Sequence, residues 1–247
     1  MELLDTDKYV TNKENIYFGF MLFISIIIYF ILFVSIIGIM YVVVIALFFL
    51  FVQGIAIGNL SQNAVKITEE QFGDIYNKVR LYSEKLGLET VPDVYLMQSG
   101  GLLNAFATRF LFKDIVVIYS DMLEMAYEQG ENAVNFIIAH ELGHVKRKHL
   151  SKMKYIACGK IVPFLGSAYS RACETTCDRI ATALIDNMPL DGLLVLCAGK
   201  KLYKQVDTNI FIKNTSNEKG FWSWFAEINA DHPSLATRIK NISEMSL

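Results

Sequence analysis

The longest hydrophobic feature of the chain is a run without a single charged residue, from Ile16 to Ile57, reading IYFGFMLFISIIIYFILFVSIIGIMYVVVIALFFLFVQGIAI. One membrane-spanning helix takes about 20 apolar residues. The run has room for two, and Ser35 and Gly38 stand near its middle. It predicts a tight helical hairpin with spans near 17–36 and 39–57, so that residues 1–60 form a membrane anchor. A signal peptide fits poorly, because its apolar core is shorter and its leading segment is positively charged. Here Glu2, Asp5, Asp7 and Glu14 precede the apolar core alongside only Lys8 and Lys13.

Beyond the hairpin the periodicity changes. Thr68 followed by Gln71 has capping-box spacing, and Ile67 to Leu86 reads as an amphipathic helix stopped by Gly87. Val94–Met97 and Asp114–Tyr119 read as strands, and Leu102 to Phe112 as an edge strand or extended segment. A short helix begins at Ser120 or Asp121. Ala133, Phe136, Ile137 and His140 recur at helical spacing, predicting a helix over 131–150. Pro163 and Gly166 interrupt, and Tyr155 to Tyr169 reads as an amphipathic or buried connector. Helices follow over 167–186, 190–206 and 234–244, with 207–220 read as a polar loop. The whole is α+β: a mostly helical domain with a small sheet over 61–247, carried behind the hairpin.

Composition adds boundaries. Hydrophobic residues make up 53% of the 247, as a membrane protein requires, and the net charge of −2 gives no reason to expect a nucleic-acid partner. Cys158, Cys173, Cys177 and Cys197 are too few for a disulfide framework. Cys173 and Cys177 lack a second metal-binding pair and read as packed thiols. Lys8, Lys13 and Lys66 flank the hairpin, whose turn holds no Lys or Arg. The domain is therefore expected on the cytosolic face of the cell membrane, behind a multi-pass anchor.

The candidate chemistry sits at His140-Glu141-Leu142-Gly143-His144. Residues i and i+4 share one helix face, so His140 and His144 can present two imidazoles to one metal ion, for which zinc is the usual occupant. Glu141 can reach a water beside that ion and act as general base and then acid. Gly143 allows another element close beneath the metal. His149, in HVKRKHL, reads as a surface or membrane-proximal cation, and Lys146, Arg147, Lys148, Lys152 and Lys154 as a basic face, either simply solvated or near anionic lipid head groups. A third ligand is needed, and the position expected for a three-His site is Leu150. Glu174, thirty residues beyond His144, is the best candidate, with Asp178 one turn further on to support a ligand histidine. On spacing alone an exposed Glu–Arg helix would be the better reading of that segment, and the choice of Glu174 rests on the resemblance that follows.

HELGH followed by Ser170-Arg171-x-x-Glu174-x-x-x-Asp178 resembles the HtpX-like and CAAX-prenyl-protease-type membrane gluzincins. Two further motifs resemble that family: Asn104-Ala105-Phe106, and Asp231-His232-Pro233 with Arg238-Ile239. The resemblance covers about residues 65–240. It implies a zincin-like fold with one zinc ion per chain, ligated by His140, His144 and Glu174. It also implies that Asn104, Ala105 and Phe106 lie in an edge strand lining the substrate cleft, and that His232 and Arg238 stabilise the oxyanion. The chain departs from typical HtpX peptidases in lacking further spans between HELGH and the Glu motif, which puts their specific role in doubt for it but not the chemistry.

These readings together predict a membrane-anchored zinc metalloendopeptidase, with a polypeptide substrate and the lipid bilayer as partners. Two rivals are a non-catalytic membrane adaptor, for which Glu141 would be superfluous, and a zinc hydrolase of non-peptide substrates, which would need no edge strand.

Overall fold

The computed structural model describes residues 3–98, 100, 104–111, 113–185, 190–218 and 220–245. The part of the expected edge strand at 102–103 and 112, and the end of the helix expected to reach 186, lie outside them.

The hairpin forms as two long helices, α1 (Asn12–Val34) and α2 (Ile36–Asn63), both long and apolar enough to cross a membrane. They break at Ser35, whose hydroxyl accepts from Gly38 N and caps α2. Both helices overrun the expected spans at their polar ends. Thr11 caps α1 by accepting from Glu14 N, and α2 continues to Asn63.

The rest is mostly helical around a small mixed sheet. Strands β1 (Val65–Ile67), β2 (Asp93–Met97), β3 (Ala105–Phe110) and β4 (Lys113–Tyr119) stand in the order β1-β2-β4-β3. β2 and β4 run parallel, while β1 and β3 pair antiparallel at the two edges. Residues 115–118 of β4 are buried on both faces. Val116 and Ile118 enter the main core, while Ile115 and Val117 pack under Leu60 of α2. The end of the apolar hairpin thus covers one face of the sheet.

The helices are α3 (Gly73–Lys85), α4 (Ser120–Gln129), α5 (Asn132–Lys146), α6 (His149–Ile156), α7 (Leu165–Leu184), α8 (Leu190–Leu202), α9 (Thr208–Asn217), α10 (Phe221–Asn229) and α11 (Leu235–Met245). α5 is the axis of the domain. Residues all round it are buried, as a helix apolar on every face must be, and it packs against α7, α8 and β3. A side chain at Gly143 would meet Cys177 of α7 at 3.3–3.4 Å, so glycine sets how closely α5 and α7 approach.

Three local expectations are corrected. Ile67 belongs to β1, and Thr68 and Gln71 exchange backbone hydrogen bonds in a tight turn instead of starting a helix, so α3 begins only at Gly73. The helix expected over 131–150 stops at Lys146, and Lys148 adopts φ +55°, so α6 leaves in a new direction. Residues 208–217 are helical: the Asp207 side chain accepts from Ile210 N as an N-cap, while Phe211 and Ile212 pack on the core.

Candidate metal centre

α5 supplies His140, Glu141 and His144, and α7 supplies Glu174 and Asp178. The glycine-permitted approach of the two helices brings these side chains together. His140 Nε2 and His144 Nε2 are 3.3 Å apart. Glu174 completes the group, with Oε2 3.2 Å from His140 Nε2 and Oε1 3.2 Å from His144 Nε2. A tetrahedral zinc with bonds of about 2.0–2.1 Å separates its ligand atoms by about 3.3–3.4 Å. The approach of the two imidazole nitrogens, and of each to one oxygen of the Glu174 carboxylate, is close to that edge, so these residues fit the ion.

The charge around the triangle points the same way. Burial opposes a positive His140, yet Glu174 and Asp178 outweigh it and push the imidazole up to about 10. Burial would raise Glu174, but His140, His144 and His232 hold it well below the usual carboxylate range. Two buried carboxylates therefore demand positive charge at this point, which a divalent cation supplies as well as a proton does.

The groups behind the triangle are ordered. Asp178 Oδ1 is 2.9 Å from His140 Nδ1, the nitrogen that faces away from the triangle. Asp178 is in turn gripped by Arg238 of α11 through Nε to Oδ2 at 2.8 Å and Nη2 to Oδ1 at 2.6 Å. Burial alone would raise Asp178, and Arg238 brings it below its ordinary value. Arg238 is buried and lies 3.7 Å from Glu174 Oε2, so it stands behind the carboxylates. His232, in contrast, is 66% exposed, with Nδ1 2.9 Å from Glu174 Oε2.

His149 is not the surface cation expected from its basic neighbours. It is 5% exposed, and burial holds its imidazole down to about 4, in the neutral form. Its Nδ1 is 3.0 Å from His144 Nδ1, and its Nε2 is 3.2 Å from Glu14 Oε1 at the start of α1. Arg147 is likewise not simply solvated, since its guanidinium donates to Glu14 and Asp7. The contact of Glu14 with His149 has no local signal, because 135 residues separate the two. The sequence offers only Glu14 itself, the last charge before the apolar run.

Among the described residues two other groups have metal-ligand spacing, His144–His149–Cys177 and Glu14–His149–Cys173. Burial pushes the Cys173 thiol up to about 12 and Cys177 well above its ordinary value, so neither is a ready thiolate. The His140–His144–Glu174 group alone combines the fitting triangle with an open side.

That side faces a cleft of about 560 Å³, lined by Glu141, His232 and Arg238 and by Asn104, Ala105, Phe106 and Ala107 along β3. Asn104 shapes the start of this edge: its side-chain oxygen accepts from Ala105 N, and its carbonyl accepts from Tyr119 N. Residues from each of the four motifs therefore line one cleft, with Asp178 beside His140 Nδ1.

The comparisons with known proteins bear on the family and not on the individual residues. Residues 69–165 match the model of Peptidase family M48, a stretch that contains HELGH and ends before Glu174. The chain is 25% identical over 210 residues to Plastoglobule-localized metallopeptidase 48, chloroplastic, of Arabidopsis thaliana, covering 74% of this chain. It spans 60% of that relative's length. No solved structure matches. Over residues 69–165 the chain is thus similar to Peptidase family M48, in line with the resemblance read from the motifs.

Proposed function

We propose that the chain is a membrane-anchored zinc metalloendopeptidase of the HtpX-like type, built as a two-helix anchor over 1–60 and a zincin-like catalytic domain over 61–247. The observation that carries this reading is the donor triangle of His140, His144 and Glu174, open on the side of the cleft and flanked by Glu141. The family match favours a metallopeptidase, and the relative's printed name says the same of that protein.

His140 Nε2, His144 Nε2 and the Glu174 carboxylate would hold one zinc ion. When bound, that ion would acidify a water and polarise the scissile carbonyl. Glu141 then serves as the base that takes the proton from the attacking water, and it passes that proton to the departing amine. His232 is the donor best placed to steady the negative charge that develops on the carbonyl oxygen. Asp178 fixes the ring of His140, and Arg238 fixes Asp178, which makes Arg238 a positioning residue in this reading. His149 does for His144 what Asp178 does for His140, and Glu14 holds His149.

The substrate is an extended polypeptide. β3 is an edge strand whose start lines the cleft, and an edge can pair with an added strand by main-chain hydrogen bonds. The anchor would place the enzyme in the cell membrane as a multi-pass protein, with the catalytic domain on the cytosolic side. The detergent-solubilised chain should digest an unfolded protein such as casein. It should stop when a chelator strips the metal and resume when zinc is restored. Digestion that ignores the chelator would refute the metal-dependent reading.

A further inference from the structure

α10 has an unusual surface. Phe221, Trp222, Trp224 and Phe225 are exposed, with Trp222 at 77%, and no residue of the helix is buried. Their rings form a continuous cluster, with Phe221 stacked on Phe225 at 5.8 Å. The cluster extends through Phe225 to Phe164, 6.5 Å away. Phe164 follows the 3-10 turn Ala157–Ile161, where Ile161 is 74% exposed. α10 is held to the domain at its C-terminal end. Arg171 Nη1 donates to the carbonyls of Ile228 and Ala230, and Ser167 Oγ to that of Asn229. Among the described residues the aromatic side stays largely exposed, a patch that a water-surrounded domain rarely keeps.

The position of the patch beside α1 indicates its occupant. α7 runs antiparallel along α1. Thr11 N donates to Thr176 Oγ1 at 3.1 Å, and further along α1 Phe18 meets Tyr169. Further still, Gly159 N donates to Ser25 Oγ at 2.9 Å, and Tyr29 OH donates to the Lys154 carbonyl at 2.7 Å. A side chain at Gly159 would collide with Met21, so the turn is pressed against the helix. At about 1.5 Å per residue, Ser25 lies about 20 Å along α1 from Thr11. The charge-free part of α1 begins just after Glu14. The turn, Phe164 and the aromatic cluster joined to it therefore stand beside the apolar part of the helix, beyond its polar start. Tyr155 and Lys154, whose ammonium lies 4.9 Å over the Tyr155 ring, and Lys160 share this corner. Aromatic rings mixed with lysines are the composition of a membrane–water interface.

We propose that α10 and the segment from Ala157 to Phe164 form a wedge seated in the headgroup and upper acyl region of a lipid bilayer. The wedge brings the rim of the cleft, at Lys160, Val162 and Phe164, to the lipid surface. This rests on the reading of α1 and α2 as membrane helices.

The chain has two tryptophans, Trp222 and Trp224, both on α10, so its intrinsic fluorescence reports on the wedge alone. The full chain is reconstituted into phosphatidylcholine–phosphatidylglycerol vesicles, with or without phospholipid brominated near the headgroup end of its acyl chains. Flotation in alkaline carbonate reports separately on α1 and α2. The wedge predicts floating protein whose emission is blue-shifted, falls by about half with the brominated lipid, and resists iodide on both sides of the membrane. Floating protein quenched by iodide and not by brominated lipid overturns the wedge and leaves the anchor standing. Floating protein shielded from both quenchers also overturns it, in favour of a protein partner or a second copy. Protein that fails to float overturns anchor and wedge together.

Discussion

Glu14 Oε1 lies 3.2 Å from His149 Nε2, across a separation of 135 residues. The contact joins the first turn of the apolar hairpin to the metal centre, because the other nitrogen of His149 faces His144 Nδ1 at 3.0 Å. The direction of the relay follows from the chemistry. A neutral His144 that offers the Nε2 lone pair to a metal carries its proton on Nδ1. His149 Nδ1 must then accept that proton's hydrogen bond, and His149 Nε2–H donates to Glu14. The N-terminal helix is in this way part of the support for a proposed ligand.

Breaking the relay is expected to weaken the metal site more than the fold. His149→Phe keeps an aromatic ring and loses both nitrogens. Loss of such a supporting group typically costs ten- to a hundredfold in metal affinity. Competition against a chromogenic chelator should show zinc binding weakened by about that factor, and Glu14→Gln should fall between the variant and the parent. Affinities within about twofold of the parent in both variants would remove the relay from the account.

Asp178 and Arg238 make a different demand. Both are buried and joined by two short hydrogen bonds. Removing one partner from a buried ion pair strands the other charge, at a cost of about 3–5 kcal/mol. Asp178→Leu alone should lower the denaturant midpoint sharply. Asp178→Leu with Arg238→Met should recover most of that stability, since apolar replacements of a buried pair are often neutral. Metal affinity should stay low in both, because His140 Nδ1 loses the carboxylate 2.9 Å away. Full recovery of zinc affinity in the double variant would mean that Asp178 serves the fold alone.

Gly143 sits in the HELGH motif but makes its contact away from the metal. A Cβ added there would meet the sulfur and the α- and β-carbons of Cys177 at 3.3–3.4 Å, which barely admits a methyl group. Gly143→Val adds more than that and cannot be absorbed by a flexible side chain. It should destabilise the domain by about 1–3 kcal/mol, read as a drop in thermal midpoint. It should also impair zinc binding, since α5 and α7 carry the three ligands between them. An unchanged midpoint would show that the helices can separate freely here.

What was readable in the sequence follows from how local each signal is. The pairing of His140 with His144 needs only helix geometry, and the hairpin break at Ser35 needs only a capping hydroxyl in an apolar run. The strand of residues 114–119 was visible because its β-branched residues are buried on both faces. Asp207 had the chemistry of a helix cap, yet the polar residues after it resembled a loop until Phe211 and Ile212 found the core. The turn at Thr68 and Gln71 has capping-box spacing, but pairing of Ile67 with Val94 in the sheet overrode it. His149 stands among lysines and an arginine, so its surroundings in sequence are basic. Its surroundings in space are Glu14, His144 and Cys177, which no local pattern discloses. Glu174 was legible only through its motif, because its two histidine neighbours come from another helix.

The central claim is that His140, His144 and Glu174 hold zinc while Glu141 performs the proton transfers. Its most direct test measures metal content and peptidase activity side by side, on the detergent-solubilised chain and on Glu141→Gln. The account predicts about one zinc per chain in both proteins and cleavage of an unfolded protein by the parent alone, because the variant keeps the ligand triangle and loses the base. Absence of metal from both proteins, or cleavage by the variant at the parent's rate, would contradict it.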